Sequence, residues 1–437
     1  MINKELLDYI EDNDVKFIRL SFCDLLGKTK NISILSSELK SVFEFGRPID
    51  SCAIPVYSDV SNSDLLLVPD ASSLSLLPWR PQTNSVARFY CNVKNPDGTY
   101  FVADGRHMLR TASAELQKLG FECNMGTKCE FYLFKTDEND NPTKNHFDNG
   151  SYLDISPLDK GENIRREVCL CFEEMGLNPE SSHHEQGPGQ NEIDFKFSDP
   201  LSAADNFLTL KSVVKSVATR NGLFASFMPK PLLNKSGNGM HLNISLQKDG
   251  ENILSDPENE NYAQAKSFIA GILEKIPEMT LFLNPINNSY ERFGAFEAPK
   301  YISWSLMNRS GLIRLPLAQK GRERIELRSP DATLNPYIAF SLILYAGMYG
   351  IENKLELMDV IDCDLYNADE DITKHLRTLP TNLSEAIELA RNSEFLIKHL
   401  GKDCLSAYIK YKEKEYADFT KVSDKETYYN DKDFKIL

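Results

Sequence analysis

The sequence predicts a two-domain α+β protein, on three observations. The first hundred residues alternate apolar and polar positions in short runs, helical spacing of apolar residues begins after Asp104, and between residues 128 and 328 four strand-like segments keep polar and ionisable side chains on one face. A chain of 437 residues suits two or three domains at roughly 100–200 residues each. The change of pattern divides it into residues 1–103 and 104–437.

Taken in order, residues 15–36 read as a hairpin around the turn Asp24–Lys28, with Phe17, Ile18, Leu20 and Phe22 answered by Ile32 and Ile34. Asp64–Val68 and Val86–Val93 follow as strands before a turn at Asn95–Gly98. Leu109, Ala112, Leu116 and Leu119 lie near helical spacing and Gly120 is a stop signal; Ile164, Val168, Phe172 and Met175, followed by Gly176, repeat that pattern. Further helices are expected over Leu201–Asn221, Asn335–Glu352 and Leu383–Leu400, and the segment from Tyr408 is charged and aromatic.

Composition narrows the chemistry. A hydrophobic content of 41 % with 26 % charged residues is that of a folded globular chain and excludes extensive disorder. Lys plus Arg at 49 against Asp plus Glu at 64 gives a net charge of −15, which repels phosphate backbones, so no nucleic-acid partner is expected. No run approaches the ~18 consecutive apolar residues that span a bilayer, and mean hydropathy is −0.37, so no membrane partner is expected either. Glu5, Asp8, Glu11 and Asp12 make the start acidic, unlike a secretory signal, and a cytoplasmic location is the expectation. The nine cysteines are odd in number, scattered and without a C-x-x-C pair, consistent with reduced packing residues. Small-molecule chemistry is the class that remains.

The four alternating segments carry that chemistry. In Lys128–Phe134, Lys128, Glu130 and Tyr132 oppose Cys129, Phe131 and Leu133; in Glu192–Phe197, Glu192, Asp194 and Lys196 oppose Ile193, Phe195 and Phe197. Met240–Leu246 sets His241, Asn243 and Ser245 against Met240, Leu242, Ile244 and Leu246, and Arg324, Glu326 and Arg328 alternate with Ile325 and Leu327. A polar strand face usually meets solvent. Together, however, Glu130, Glu185, Glu192, Glu326 and His241 form an oxygen-rich set suited to magnesium or manganese. The pair His183–His184 lacks the spacing of zinc hydrolases. Arg292, Arg309, Arg314, Arg324 and Arg328 crowd a short stretch of an acidic chain, and guanidinium forks bind carboxylates and phosphates. Metal ligands beside arginines point to phosphoryl transfer with ATP, held without a Walker-type loop or a dinucleotide fingerprint, since neither motif is present.

Six stretches, SSHHEQGPGQNEIDF, ASFMPKPL, SGNGMHLNISL, FLNPINNSY, FEAPKYISWS and RIELRSPDATLNPYIAF, resemble in content and order the signatures of type I glutamine synthetases. The resemblance runs from about Val15 nearly to the C-terminus. It implies an N-terminal β-grasp domain followed by a catalytic domain whose curved antiparallel sheet, a half-barrel, is flanked by helices. It also implies ligation of ammonia to the γ-carboxylate of glutamate through γ-glutamyl phosphate, with ATP and Mg2+ or Mn2+. By resemblance Glu130, Glu185 and Glu192 match ligands of a first metal, and His241 and Glu326 those of a second. Arg292, Arg328 and the backbone at Gly237 match glutamate-binding positions; Arg309, Arg314 and Arg324 match contacts to nucleotide phosphates or the moving phosphoryl, and Ser245 a nucleotide contact. Glu297 matches the flap carboxylate that deprotonates the attacking ammonium, and Asp50 and Tyr152 the ammonium pocket. Similar enzymes are dodecamers of two hexameric rings with active sites between subunits, so a homo-oligomer is expected.

The chain departs from the family pattern at Lys128, which stands where the motif G-x-E-x-E-F has its first glutamate, a ligand of the second metal; here the stretch reads GTKCEF. An ammonium has donors and no lone pair. The expectation is that Lys128 pairs with Glu326 or Glu130 and replaces the second ion or weakens its binding, which favours the first-site ion. Ser236, Asn243, a segment from Arg292 to Glu297 one residue short, and Ser51–Cys52–Ala53 after Asp50 are smaller departures. Tyr366 lies where some relatives are adenylylated, but Asn367 and Ala368 break that context, and no such regulation is expected. Three functions fit: glutamine synthesis, ligation of a methylated amine or polyamine to glutamate, and a ring that binds ligands with impaired catalysis as sensor or structural element.

Overall fold

A computed structural model describes residues 4–57, 63–81, 83–256, 258 and 260–437. In the N-terminal region, strands β1 (Val15–Cys23), β2 (Thr29–Leu35), β3 (Arg47–Asp50), β4 (Asp64–Pro69), β5 (Ser75–Leu76) and β6 (Ser85–Lys94) form one sheet in the order β2-β1-β6-β4-β3, with β5 on β6. The β1–β6 pair is parallel, joined by a long crossover, and the other pairs are antiparallel. The expected hairpin is β1–β2, closed by the Asp24 carboxylate accepting from the N–H groups of Leu26 (3.0 Å) and Lys28 (2.9 Å).

That turn docks on the rest of the chain. Gly27 has φ +80°, and a Cβ there would lie 2.9 Å from the carbonyl oxygen of Leu334, so both backbone conformation and space demand glycine. Beside it the Asn335 amide donates to the Asp24 carbonyl at 2.9 Å. Asn335 also caps the helix Pro336–Glu352, so the hairpin tip is fixed to a helix start. A second tie is Arg106, 3 % exposed, which donates to Asp70 after β4 and to Asp205 on helix Pro200–Arg220. Hydrophobic packing is continuous across both regions, from Leu6 to Ile409.

The larger sheet comprises β7 (Glu122–Thr136), β8 (Pro142–His146), β9 (Pro179–His184), β10 (Gln190–Phe195), β11 (Leu223–Ser226), β12 (Met240–Lys248), β13 (Glu251–Asn252), β14 (Trp304–Ser305), β15 (Ile313–Arg314) and β16 (Ile325–Leu327). Its order is β14-β15-β16-β12-β7-β10-β9, with β8 and β11 on β7 and β13 on β12. All pairs are antiparallel except β14–β15, and the sheet curls into a half-barrel flanked by helices. The four segments with polar faces are therefore β10, β7, β12 and β16, neighbours in that order. One face is apolar: Cys129, Phe131, Ile193, Leu242, Ile325 and Leu327 are fully buried and share the core with Ala204, Phe207 and Val213 of helix Pro200–Arg220. The opposite face carries the ionisable groups.

Two expectations are corrected and one helix is added. Strand β10 ends at Phe195, so Lys196 and Phe197 lie beyond it and Phe197 is exposed. Leu383–Leu400 is two helices, Leu383–Arg391 and Glu394–Leu400, because the Ser393 hydroxyl accepts from the Leu396 N–H and starts a new helix. Helix Tyr262–Leu283 was not anticipated: it contains Pro277, an ordinary helix breaker, and is more buried than exposed. Among the described residues no helix is long and apolar enough to cross a membrane, and all nine cysteines are free.

Candidate active site

Register decides which polar groups meet. Glu130 on β7 faces Glu192 on β10, Lys128 faces Asp194 on β10 and His241 on β12, and Asn243 on β12 faces Glu326 on β16. The result is a cavity of ≈ 570 Å³ whose wall includes Lys128, Glu130, Glu185, Glu192, His241 and Glu326, with Arg292, Arg328, Tyr152, Gly237, Glu297 and Arg309 around it. A cavity of ≈ 620 Å³ elsewhere, between the β1–β2 turn and the C-terminal segment, holds none of these groups.

Two overlapping ligand sets are present. Ligand atoms of Glu130, Glu192 and His241 lie within 4.8 Å of one another, as do those of His183, Glu185 and Glu192. Their electrostatics suit a cation. Burial and the neighbouring Glu185 and Glu192 push the Glu130 carboxyl well above the usual range, while burial with Asp194 and Glu185 lifts Glu192 to about 7. Burial drives the His241 imidazole down to about 3, with Arg328 and Arg292 acting in the same direction, so its lone pair stays free. The donor set of three clustered carboxylates and neutral imidazole therefore fits a hard divalent ion.

Glu326 is differently placed. Against the effect of burial, the hydrogen bond with His241 and the guanidinium groups of Arg328 and Arg314 hold its carboxyl well below the ordinary range. Its Oε2 accepts from Arg314 Nε and lies 3.7 Å from Arg328 Nη1. Lys128 does not pair with Glu326 or Glu130 as expected. Its Nζ donates to Glu192 Oε1 at 2.7 Å and lies 3.5 Å from Asp194 Oδ2, because antiparallel register sets it directly opposite Asp194 and diagonal to Glu192. These two anions outweigh burial and keep the ammonium protonated above its ordinary value.

Arg328, 1 % exposed, has its Nε and Nη1 buried without a hydrogen-bond partner while Nη2 donates to the Glu297 carbonyl at 2.8 Å. Arg292 is also buried and donates to the Ser329 and Arg328 carbonyls at 2.7 and 2.8 Å. On the rim, Phe296 and Glu297 occupy left-handed backbone at φ +50° and +63°, a conformation costing non-glycine residues about 1–3 kcal/mol. Arg309 Nη1 (3.3 Å) and Gln186 Nε2 (3.2 Å) donate to the Glu297 carboxylate and aim it across the opening.

Among the residues singled out from sequence, the cavity unites Glu130, Glu185, Glu192, His241, Glu326, Arg292, Arg328, Gly237, Tyr152, Glu297, Arg309 and Lys128. Arg314 reaches it only through Glu326. Arg324 and half-buried Ser245 do not line it, and neither does Asp50, which is exposed at the end of β3 with its carboxylate accepting from the Cys52 N–H. Sequence reasoning gave no role to His183 and Gln186, which line the cavity, or to Asp194, which holds Lys128. His183 Nε2 lies 3.0 Å from Glu185 Oε1, and its ring stacks edge-on with Tyr152 at 5.5 Å. The adjacent histidines were the available signal, discounted because only zinc spacing was considered.

The neighbouring His184 supports the site from behind. Its Nδ1 is 2.7 Å from the Glu185 carbonyl and its Nε2 2.9 Å from Asp148 Oδ1, an oxygen that also accepts from the N–H groups of Gly150 and Gly189.

Comparison with known proteins agrees with this arrangement. The family model described as glutamine synthetase, β-grasp domain, matches residues 14–96, and that described as glutamine synthetase, catalytic domain, matches 102–429. Proteins named glutamine synthetase from Clostridium saccharobutylicum and Methanosarcina mazei are each 43 % identical to the chain over 96 % of its length, covering 96 % and 95 % of theirs. A solved GmaS–ADP complex superposes with a TM-score of 0.86 at 28 % identity, covering 98 % of this chain and 99 % of that one. The Plasmodium falciparum glutamine synthetase structure shares the fold, with a TM-score of 0.85 at 23 % identity and 98 % of each chain covered. With both domain models matched in order and relatives above 40 % identity along nearly the whole length, the chain belongs to the glutamine synthetase family.

Proposed function

We propose that this protein joins ammonia to the γ-carboxylate of L-glutamate at the expense of ATP, giving glutamine, ADP and phosphate. The observation that carries the reading is the meeting, in one cavity, of a carboxylate cluster, the unpartnered guanidinium N–H groups of Arg328 and the flap carboxylate of Glu297. A γ-carboxylate oxygen attacks the terminal phosphorus of ATP and ADP departs. Ammonia then attacks the γ-carbon, the C–O bond to phosphate breaks, and phosphate leaves.

Glu130, Glu185 and Glu192 would hold a first Mg2+ or Mn2+, and His241 with Glu326 would face a second position. Bound divalent cations supply charge neutralisation for the phosphates. Arg328, Arg292 and the backbone at Gly237 bind glutamate, with the fork of Arg328 offering its free N–H groups to a carboxylate. Arg309, Arg314, Arg324 and Ser245 contact the nucleotide, and Arg309 also meets charge on the transferring phosphoryl. Glu297, Tyr152 and Asp50 receive ammonium, and Glu297 takes its proton. Asp50 lies outside the cavity of its own chain, which supports an active site completed by a neighbouring subunit, as in a dodecamer of two hexameric rings. A cytoplasmic setting fits this metabolism.

One observation favours a second reading. Lys128 within the carboxylate cluster fits a protein that binds the ligands with little turnover. The deciding experiment follows ADP and phosphate release with glutamate, ATP and Mg2+ or Mn2+, with and without ammonium, and identifies product by mass spectrometry. Ammonium-dependent glutamine supports synthesis. Silence with ammonium but turnover with methylamine or a polyamine moves the protein to an amine ligase, and nucleotide binding without turnover supports the second reading.

A further inference from the structure

The charges of the site divide unevenly. Glu326 has Arg314 and Arg328 beside it, and Glu192 and Asp194 have Lys128. Among the described residues Glu130 has no ion pair, and Glu185 has only the imidazole of His183 within ion-pair distance. The position of Lys128 is fixed by the sheet, since β7 is the strand between β10 and β12 and residue 128 has Asp194 on one side and His241 on the other. A carboxylate there would stand among His241, Glu192 and Glu326 and complete a second oxygen-and-imidazole set. A lysine offers none of its electrons to a metal and adds a positive charge to that spot.

We propose that the Lys128 ammonium is a resident cation that takes the place of one divalent ion, so that each chain binds one divalent ion fewer than its Lys128→Glu variant. This rests on the metal-dependent reading above. Lys128 anchors Glu192 through Oε1 only and leaves Oε2 available, so the set of Glu130, Glu185 and Glu192 still accepts an ion. Glu326, beside His241, is already matched by Arg314 and Arg328, and the Lys128 ammonium on Glu192 and Asp194 adds a further positive charge next to His241 in the strand register. Such an arrangement makes one cation position independent of the metal concentration in solution.

The test is metal binding to the full-length protein, without nucleotide or turnover. Wild type, Lys128→Glu and Lys128→Gln are stripped of metal and titrated with Mn2+, with free ion followed by electron paramagnetic resonance and bound ion by elemental analysis. The expected result is a plateau one Mn2+ per chain higher in Lys128→Glu than in wild type. Lys128→Gln, which removes the charge with little change of size, is expected to bind its first ion about tenfold more tightly, as a neighbouring positive charge has gone. It keeps the test decisive if Lys128→Glu does not fold. Equal plateaux in wild type and Lys128→Glu would overturn the proposal, as would equal affinities in wild type and Lys128→Gln where Lys128→Glu does not fold, or an anomalous Mn2+ peak between His241 and Glu326 in wild-type crystals with Lys128 still bonded to Glu192. If no variant binds Mn2+, the metal-dependent reading falls with it; if wild type makes glutamine and the plateaux match, only the proposal about Lys128 falls.

Discussion

Arg328 Nη2 donates to the main-chain carbonyl of Glu297 at 2.8 Å, which ties the arginine following β16 to the flap over the cavity. The same side chain is fully buried and keeps Nε and Nη1 free of hydrogen-bond partners, with Nη1 3.7 Å from the Glu326 carboxylate. On the proposed reading one guanidinium then serves the rim at Glu297 and the substrate carboxylate at once. Lysine is charged but lacks the planar fork, so it cannot hold both. Arg328→Lys is expected to lower kcat/KM for glutamate by about tenfold to a hundredfold, the loss of one or two charge-assisted hydrogen bonds, with a much smaller change in KM for ATP. Steady-state kinetics with each substrate varied check this, and equal effects on both would sink it.

Glu297 sits in left-handed backbone with its carboxylate held by Arg309 and Gln186, a costly conformation that aims one oxygen pair across the opening. Glu297→Gln keeps the shape and removes the proposed base. The expected loss is about 10²–10⁴ in kcat with KM for glutamate nearly unchanged. Hydroxylamine is already neutral and needs no base, so its reaction with the acyl phosphate is expected to fall far less than the ammonium reaction. A parallel collapse of both reactions would show that Glu297 acts on phosphoryl transfer instead.

Much of this site is legible in the sequence, for a reason particular to strands. Alternation with period two marks a polar face whatever the partner strand, so Glu130, Glu192, His241 and Glu326 could be grouped. Alternation does not state register, and a pairing shift changes which side chains touch. That is why Lys128 was expected beside Glu326 or Glu130 and is found on Glu192 and Asp194. Helix Tyr262–Leu283 hid because its last turn, Met279–Leu283, is wholly buried and Pro277 lies inside it, which masks the polar face carried by Lys266 and Glu274. His183 gained its role from a loop that carries Glu185 and Gln186 to the rim, a tertiary fact without a local signature.

The pair Asp148–His184 gives a pH signature separate from the ligand cluster. Against the effect of burial, the hydrogen bond from His184 and those from the N–H groups of Lys160 and Gly150 hold the Asp148 carboxyl down at about 2. A depressed carboxylate contributes stability that is present above its unfolded value near 3.8 and is lost as pH falls toward 2. His184, whose imidazole is raised by the same partner, contributes below its unfolded value near 6.5 and loses that contribution as pH rises through its folded value. Asp148→Asn is therefore expected to cost about 1–3 kcal/mol between pH 4 and 6, with the gap to wild type narrowing on both sides. Urea unfolding at pH 3, 5 and 8 measures it, and a gap independent of pH would refute the assignment.

Metal removal tests the carboxylate cluster from the side of stability. Burial and mutual repulsion raise Glu130 well above its ordinary value and Glu192 to about 7. A raised carboxylate binds its proton more tightly in the folded state, so without metal these groups cost stability as pH climbs from about 4.5 toward 7. On the proposed reading a divalent ion would neutralise them and would have to displace those protons to bind. Mn2+ at a hundredfold excess over its Kd is expected to add about 2.7 kcal/mol of stability at pH 8, and much less at pH 5.5, where protons compete. Excess chelator should return both samples to the metal-free melting temperature, while zinc-free and manganese-free controls at each pH fix the baseline. A gain at pH 5.5 as large as that at pH 8 would mean that the ion binds groups other than Glu130, Glu185 and Glu192.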